Sequence, residues 1–183
     1  MHVHGGDITI GNLPLTEYDA QVKTIDVVHE RIHAKKMFDF QKVFLSTANG
    51  SVTYVSIRPQ LVEAHLVITL DCEGKSYFKS YVDSTWTTNG TLGTIFNRHI
   101  NDAPEADAIV YYDGTPNVLG MLRFDKVILG GLGPQSTGAS GTQRIETVVD
   151  EGKELTIAVT NVSGQTKDLG ISLEWYEPDS IPN

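Results

Sequence analysis

From Ser51 onward, apolar and polar residues alternate in short runs separated by Gly, Pro, Asn and Asp. This is the pattern of strands that each bury one face. The clearest run is Ala64 to Cys72, where Ala64, Leu66, Ile68, Leu70 and Cys72 share a face opposed by His65, Thr69 and Asp71, with Val67 the exception. The same alternation puts Leu155, Ile157 and Val159 on one face, and Leu169, Ile171, Leu173 and Trp175 on one face of the last strand. Further strands are predicted at Ser51 to Ile57, Lys75 to Val82, Thr91 to Phe96, Ala108 to Tyr112, Leu119 to Leu129 and Arg144 to Val149. Short strands at this spacing predict an all-β domain, a sandwich or a barrel built from antiparallel sheets.

Punctuation supports the same reading. Turns are predicted at Asn49-Gly50, Glu73-Gly74, Asn89-Gly90, Asp113-Gly114 and Glu151-Gly152, where glycine tolerates positive φ. All the prolines, Pro116 among them, fall outside the proposed strand interiors. Two stretches lack the pattern. Gly130 to Thr142 has no large apolar residue beyond Leu132 and reads as a long mobile loop. In the first 20 or so residues only Asp7 to Ile10 is strand-like, so this segment is either an arm that orders on a neighbouring subunit or a frayed terminus. The organisation expected is an arm over residues 1–24 and a single β-sandwich domain over residues 25–183.

Charge and cysteine content narrow the function. A net charge of −9 disfavours nucleic acid and anionic membrane as partners. The lone cysteine, Cys72, excludes an intramolecular disulfide and reads as a buried thiol. The start, Met1-His2-Val3-His4-Gly5-Gly6-Asp7, lacks the basic and apolar regions of a signal peptide, so export by that route is not expected. Apolar runs such as Leu66 to Leu70 are far shorter than the roughly 20 residues of a membrane-spanning helix.

One segment invites a catalytic reading. His29-Glu30-Arg31-Ile32-His33 matches H-E-x-x-H, in which two histidines one helical turn apart bind zinc and the glutamate activates water. That chemistry needs a helix, a third ligand and an open coordination position. The preceding Lys23 to Val28 contains Thr24, Ile25, Val27 and Val28, β-branched residues that favour an extended strand. In a strand, residues four apart are separated by about 13 Å, too far to chelate one ion. Asp39 stands where some zinc peptidases place a third ligand, but Lys36 replaces the glycine their turn requires. The extended reading therefore removes the metal site.

Other chemistry is weaker. His2 and His4 read as an exposed terminus that takes up metal only adventitiously. No G-x-S-x-G, phosphate loop or dinucleotide fingerprint occurs, and Gly130-Gly131-Leu132-Gly133 lacks the following Lys-Ser/Thr. Trp86, Trp175, Tyr77, Tyr81, Tyr111 and Tyr112 suggest a sugar-stacking platform on one reading, and core or interface aromatics at strand spacing on the other. No residue is assigned a catalytic, cofactor-binding or metal-binding role, and a non-enzymatic structural or binding part is expected.

The order of local features resembles a family of bacteriophage and prophage virion proteins. His29-Glu30-Arg31-Ile32-His33 followed by Phe38 is similar to the family's His-x-x-Ile-His run that ends on an aromatic residue. The strand Ala64 to Cys72 comes next, and Gly90-Thr91-Leu92-Gly93-Thr94 then leads into Asn97-Arg98. Thr160-Asn161-Val162-Ser163-Gly164 and Ile171-Ser172-Leu173-Glu174-Trp175-Tyr176-Glu177 close the run. The resemblance spans residues 25–177. The chain departs from it at Ala34 to Lys36, where the family's glycine is missing, and near Arg98, where the family's Asn/Arg cluster is thinner. The resemblance implies a β-jelly-roll domain on the virion that decorates or cements the capsid shell, with the major capsid protein as partner. It also implies a location on the capsid surface, reached from the host cytoplasm during assembly. A shell threefold would favour a homotrimer, and a tail-fibre or baseplate module binding host glycan is the competing function.

Overall fold

The computed structural model describes residues 8–10, 13–15, 31–100, 104–130 and 143–178. In chain order its strands are β1 (Ile8–Ile10), β2 (Leu13–Leu15), β3 (Met37–Thr47), β4 (Val52–Arg58), β5 (Ala64–Cys72), β6 (Ser76–Val82) and β7 (Thr85–Thr88). There follow β8 (Thr91–Leu92), β9 (Phe96–Asn97), β10 (Ile109–Tyr112), β11 (Thr115–Val118), β12 (Met121–Ile128), β13 (Gln143–Val149), β14 (Leu155–Asn161) and β15 (Lys167–Tyr176).

The alternating runs become strands because each buries one face. Ala64, Leu66, Ile68 and Leu70 of β5 are buried, as are Leu169, Ile171, Leu173 and Trp175 of β15, which pairs with it antiparallel. Burying each such large side chain contributes roughly 1.5–3 kcal/mol, so a one-residue slip that turned the face outward would forfeit all of them. On the facing sheet Val55, Ile57, Phe78, Ile157 and Val159 close the same core.

Two sheets form the body, ordered β12-β6-β14-β4-β10-β8 and β13-β5-β15-β3-β9. The pairings β3 with β15, β4 with β14, β5 with β13 and β6 with β12 are all antiparallel. The chain is thus a long two-stranded ribbon, β3-β4-β5-β6 against β12-β13-β14-β15, whose successive strands enter opposite sheets. That is the eight-stranded jelly roll of an antiparallel β-sandwich.

An excursion over residues 83–120 sits at the tip of the ribbon, between β6 and β12. It places β10 and β8 beyond β4, sets β9 beside β3, and pairs β11 with β7 as a separate ladder. Two buried glutamates hold it. The Glu154 carboxylate accepts hydrogen bonds from Arg58 Nη2 and Trp86 Nε1. Glu177 accepts from the Asp107 and Ala108 amides at 2.9 and 3.0 Å and from Trp175 Nε1 at 2.9 Å.

The strands differ from the sequence reading in several places. β3, eleven residues long, is absent from that reading, as are β2, β7 and β11. The single strand expected over Thr91 to Phe96 is two short ones, β8 and β9, joining different sheets. Pro116 lies inside β11, where register shifts on either side accommodate the missing donor; Pro14 lies in β2. The predicted loop falls outside the described residues from 131 to 142. Of the arm, only the β1–β2 ladder is described.

Candidate assembly surface

Among the described residues β12 is the outermost strand of its sheet and pairs with β6 alone. The ladder shifts register between Leu122 and Phe124, leaving Arg123 as a bulge. A glycine stands at each end of the strand because the backbones approach too closely for a side chain. A Cβ at Gly120 would run into the Val82 carbonyl, and one at Gly130 into the Gly74 backbone. β12 is thereby held in one place at the end of its sheet.

Along β12 only Ile128 is buried. Met121 and, just beyond the strand, Leu129 are each 64 % exposed, while Leu122, Phe124 and Val127 are about half exposed. Single exposed leucines are ordinary on protein surfaces, but this edge strand and the residue after it carry five large apolar side chains in solvent, Met121 and Phe124 on the core side and Leu122 and Val127 on the outer side. Phe124 leans toward the core side, its ring 6.2 Å from that of Phe78. Asp125 points to the outer face, 3.4 Å from Lys79 Nζ.

Beside this edge the sandwich is open. A cleft of about 580 Å³ lies between β12 and β13, lined by Ile68, Val82, Phe124, Ile145, Val149 and Leu155. At its rim Lys153 Nζ and Asp83 Oδ2 approach to 3.1 Å. A second cavity, of about 750 Å³, lies at the opposite side, beneath the excursion and against Phe38, Ile95 and Ala108. Its amide side chain is engaged with backbone: Asn97 Nδ2 donates to the Lys35 and Pro104 carbonyls at 2.8 and 3.2 Å, and Oδ1 accepts from the His99 amide at 2.9 Å. Exposed Leu92, Phe96 and Ile100 stand at its mouth.

The H-E-x-x-H segment takes a different shape from the one expected. Residues 31–33 form a helical turn, not an extended strand; His29 and Glu30 lie outside the described residues. The described part packs on the sheet, with the Arg31 guanidinium 4.8 Å above the Tyr176 ring and His65 stacked on Tyr176 at 4.3 Å. The propensity argument rested on Lys23 to Val28, which lie outside the described residues, whereas the turn at 31–33 is held by packing of Arg31. Asp39, the candidate third ligand, lies on β3 directly opposite Glu174. Burial raises its pKa, the Arg98 guanidinium opposes that rise and Glu174 adds to it. Among the described residues no three His, Cys, Asp or Glu side chains gather as a metal site.

The aromatic residues named from the sequence are divided between core and surface: Trp175 is buried, Tyr77 is exposed, and Trp86, Tyr81, Tyr111 and Tyr112 are partly exposed. Trp175 is fully buried and stacks on Phe38 at 5.9 Å. Trp86 donates to Glu154 and meets Tyr54 edge-on at 6.1 Å. Tyr112 packs between Phe40 and Phe44, with Lys42 Nζ over its ring. Cys72 is a buried thiol, its pKa raised by that burial against a hydrogen bond from Ser76. His2 and His4 lie outside the described residues.

The β12 surface was missed by sequence reasoning, which assigned Leu119 to Leu129 to a strand but gave it no role. A signal was present: Leu122, Phe124 and Val127 are interleaved with Arg123, Asp125 and Lys126, a mixture that no single buried face explains. Compared with models of known protein families and with curated protein sequences, the chain matches none.

Proposed function

We propose that the chain is a non-enzymatic structural protein of a bacteriophage virion that decorates and stabilises the capsid shell, with the major capsid protein as its partner. The observation that carries this reading is an apolar edge strand left in solvent on a rigid jelly-roll body: Met121, Leu122, Phe124 and Val127 are exposed along β12. Such a patch has a free-energy reason to be covered by another protein. The net charge of −9 suits a soluble part and argues against nucleic acid or an anionic bilayer as that cover. Among the described residues no helix is long and apolar enough to cross a membrane. The family resemblance over residues 25–177 supplies the virion context, and a threefold site on the shell would make the working form a homotrimer. The protein would assemble in the host cytoplasm and end on the capsid surface.

Quantitative mass spectrometry of purified particles tests the reading. Shell decoration requires hundreds of copies per particle; tens or fewer would make the chain a tail part, and absence from particles would end the virion reading. Elemental analysis of the same purified protein is expected to find no stoichiometric zinc, and Glu30→Gln to leave stability and assembly unchanged. Stoichiometric zinc would reinstate the metalloenzyme reading.

A further inference from the structure

We propose that Asn89-Gly90, in the connection between β7 and β8, is a site of spontaneous deamidation whose isoaspartate product loosens the β7–β11 ladder. The inference stands on this connection and does not depend on the capsid reading.

Two asparagines in the chain precede glycine, Asn49 and Asn89. Deamidation begins when the backbone nitrogen of the following residue attacks the asparagine Cγ, and glycine at that position has no side chain to obstruct the approach. A nitrogen–carbon bond forms, the Cγ–Nδ2 bond breaks, and ammonia leaves with the proton of the attacking amide. Solvent water then opens the resulting succinimide. Opening at Cγ gives aspartate. Opening at the main-chain carbonyl gives isoaspartate, whose main chain runs through Cβ and Cγ and is one carbon longer.

The two sites match in exposure and in backbone. Asn49 and Asn89 are both exposed, and Gly50 and Gly90 have φ of 83° and 87°. They differ in what holds the reacting atoms. Asn49 Oδ1 accepts from the Gly164 amide at 2.9 Å, and the Gly50 amide donates to the Asn161 carbonyl at 2.7 Å. Both bonds must break before the nitrogen can reach Cγ. Among the described residues, neither the Asn89 side chain nor the Gly90 amide makes a hydrogen bond. Two hydrogen bonds therefore favour Asn89 as the reacting site by roughly tenfold or more.

The surroundings of Asn89 set the consequence. β7 pairs with β11 and β8 with β10, so Asn89-Gly90 lies across from Asp113-Gly114, which joins β10 to β11. The two backbones are pressed together. A Cβ at Gly90 would stand 2.2 Å from the Tyr112 carbonyl oxygen, and one at Gly114 would stand 2.7 Å from the Asn89 carbonyl oxygen and 2.8 Å from the Trp86 ring. An approach with no room for a Cβ has none for an additional main-chain carbon. Isoaspartate at position 89 therefore separates the two connections and loosens β7 and β11, Trp86 included, whose indole is bonded to Glu154.

Purified full-length protein held in mildly alkaline buffer and sampled over time reads the reaction, by peptide mass spectrometry with fragmentation that separates aspartate from isoaspartate. Asn89 is expected to convert at least tenfold faster than Asn49 in the same molecules and to yield both products. Hydrogen exchange of the isoaspartate-containing chains should be faster in β7 and β11 and unchanged in β5 and β15. Asn89→Gln, whose longer side chain does not close the succinimide ring, should age without that change. Asn49 converting as fast as Asn89, or an Asn89 that stays intact through several half-lives of a free peptide spanning residues 85–94, would overturn the proposal. So would β7 and β11 exchange that is the same with and without isoaspartate, or equal loosening in the aged glutamine variant.

Discussion

The Glu177 carboxylate is almost fully buried and meets three donors, the indole of Trp175 and the amides of Asp107 and Ala108. Asp107 in turn accepts from the amides of Gln60, Leu61 and Val62 at 2.8, 2.7 and 3.2 Å. Orphaning a buried donor costs about 1–3 kcal/mol, so Glu177→Ala should lower unfolding free energy by roughly 2–4 kcal/mol in denaturant titration. Leu70, Ile157 and Leu173 are fully buried, and truncating each to Ala should cost roughly 2–5 kcal/mol. A change below about half a kcal/mol at all three would mean their faces are misassigned. Asp39 behaves in the opposite sense. Burial raises its pKa above 3.8, with Arg98 opposing and Glu174 adding. An acid whose folded pKa is raised contributes stability below its unfolded value and loses that contribution as pH rises through the folded one. Asp39→Asn should therefore stabilise the protein near neutral pH, with the gain vanishing on acidification below 3.8. A gain that is the same at both ends would locate the effect elsewhere than in this ionisation.

At the scale of elements, legibility followed burial geometry. β5, β14 and β15 each set one face on the core and their alternation was plain in the sequence. β3 was not, since Lys42, its ammonium over Tyr112, interrupts the buried face of Phe38, Phe40 and Phe44, and apolar Val43 and Leu45 stand exposed on the other face. β7 and β11 are short and mostly exposed, so no period could announce them, and Pro116 argued against the latter. The fold class was readable because most of the core comes from strands of the first kind. The candidate surface was less so, because β12 has nearly every position in solvent, and exposure leaves no periodic mark. Expectation instead looked for a subunit contact in the first 20 residues, and β12 is the strand that leads into the predicted loop at Gly130 to Thr142. Its placement has a simple test. Gly120→Ala puts a Cβ against the Val82 carbonyl, so it should destabilise by about 1–3 kcal/mol through forced backbone adjustment. Exchange at β12 and β6 should rise more than at β5. Retention of wild-type stability would mean that this approach has room to relax.

Over the whole molecule, the two open sides of the sandwich are treated differently. The side at β3 and β4 is closed by β9, β10 and β8, while the side at β12 and β13 has no further strand among the described residues. The closing excursion contributes buried Ala108 and Val110 to the core, but most core side chains belong to the eight jelly-roll strands. Besides its β10–β4 and β9–β3 ladders, it is attached at two buried carboxylates, Glu154 beneath Trp86 and Glu177 beneath Asp107 and Ala108. Such an arrangement predicts a cooperative unit of lower stability docked on a more stable body. Replacing Glu154 and Glu177 together by Ala orphans several donors at about 1–3 kcal/mol each, a loss that should speed amide exchange in β7 to β11 by roughly tenfold or more. Exchange in β5, β14 and β15 should rise far less, and proteolysis of the variant should begin within residues 83–120. Equal acceleration in β5 and β15 would show that the excursion and the sandwich unfold as one unit, so that closing the β3–β4 side is a condition of the fold and not an addition to it.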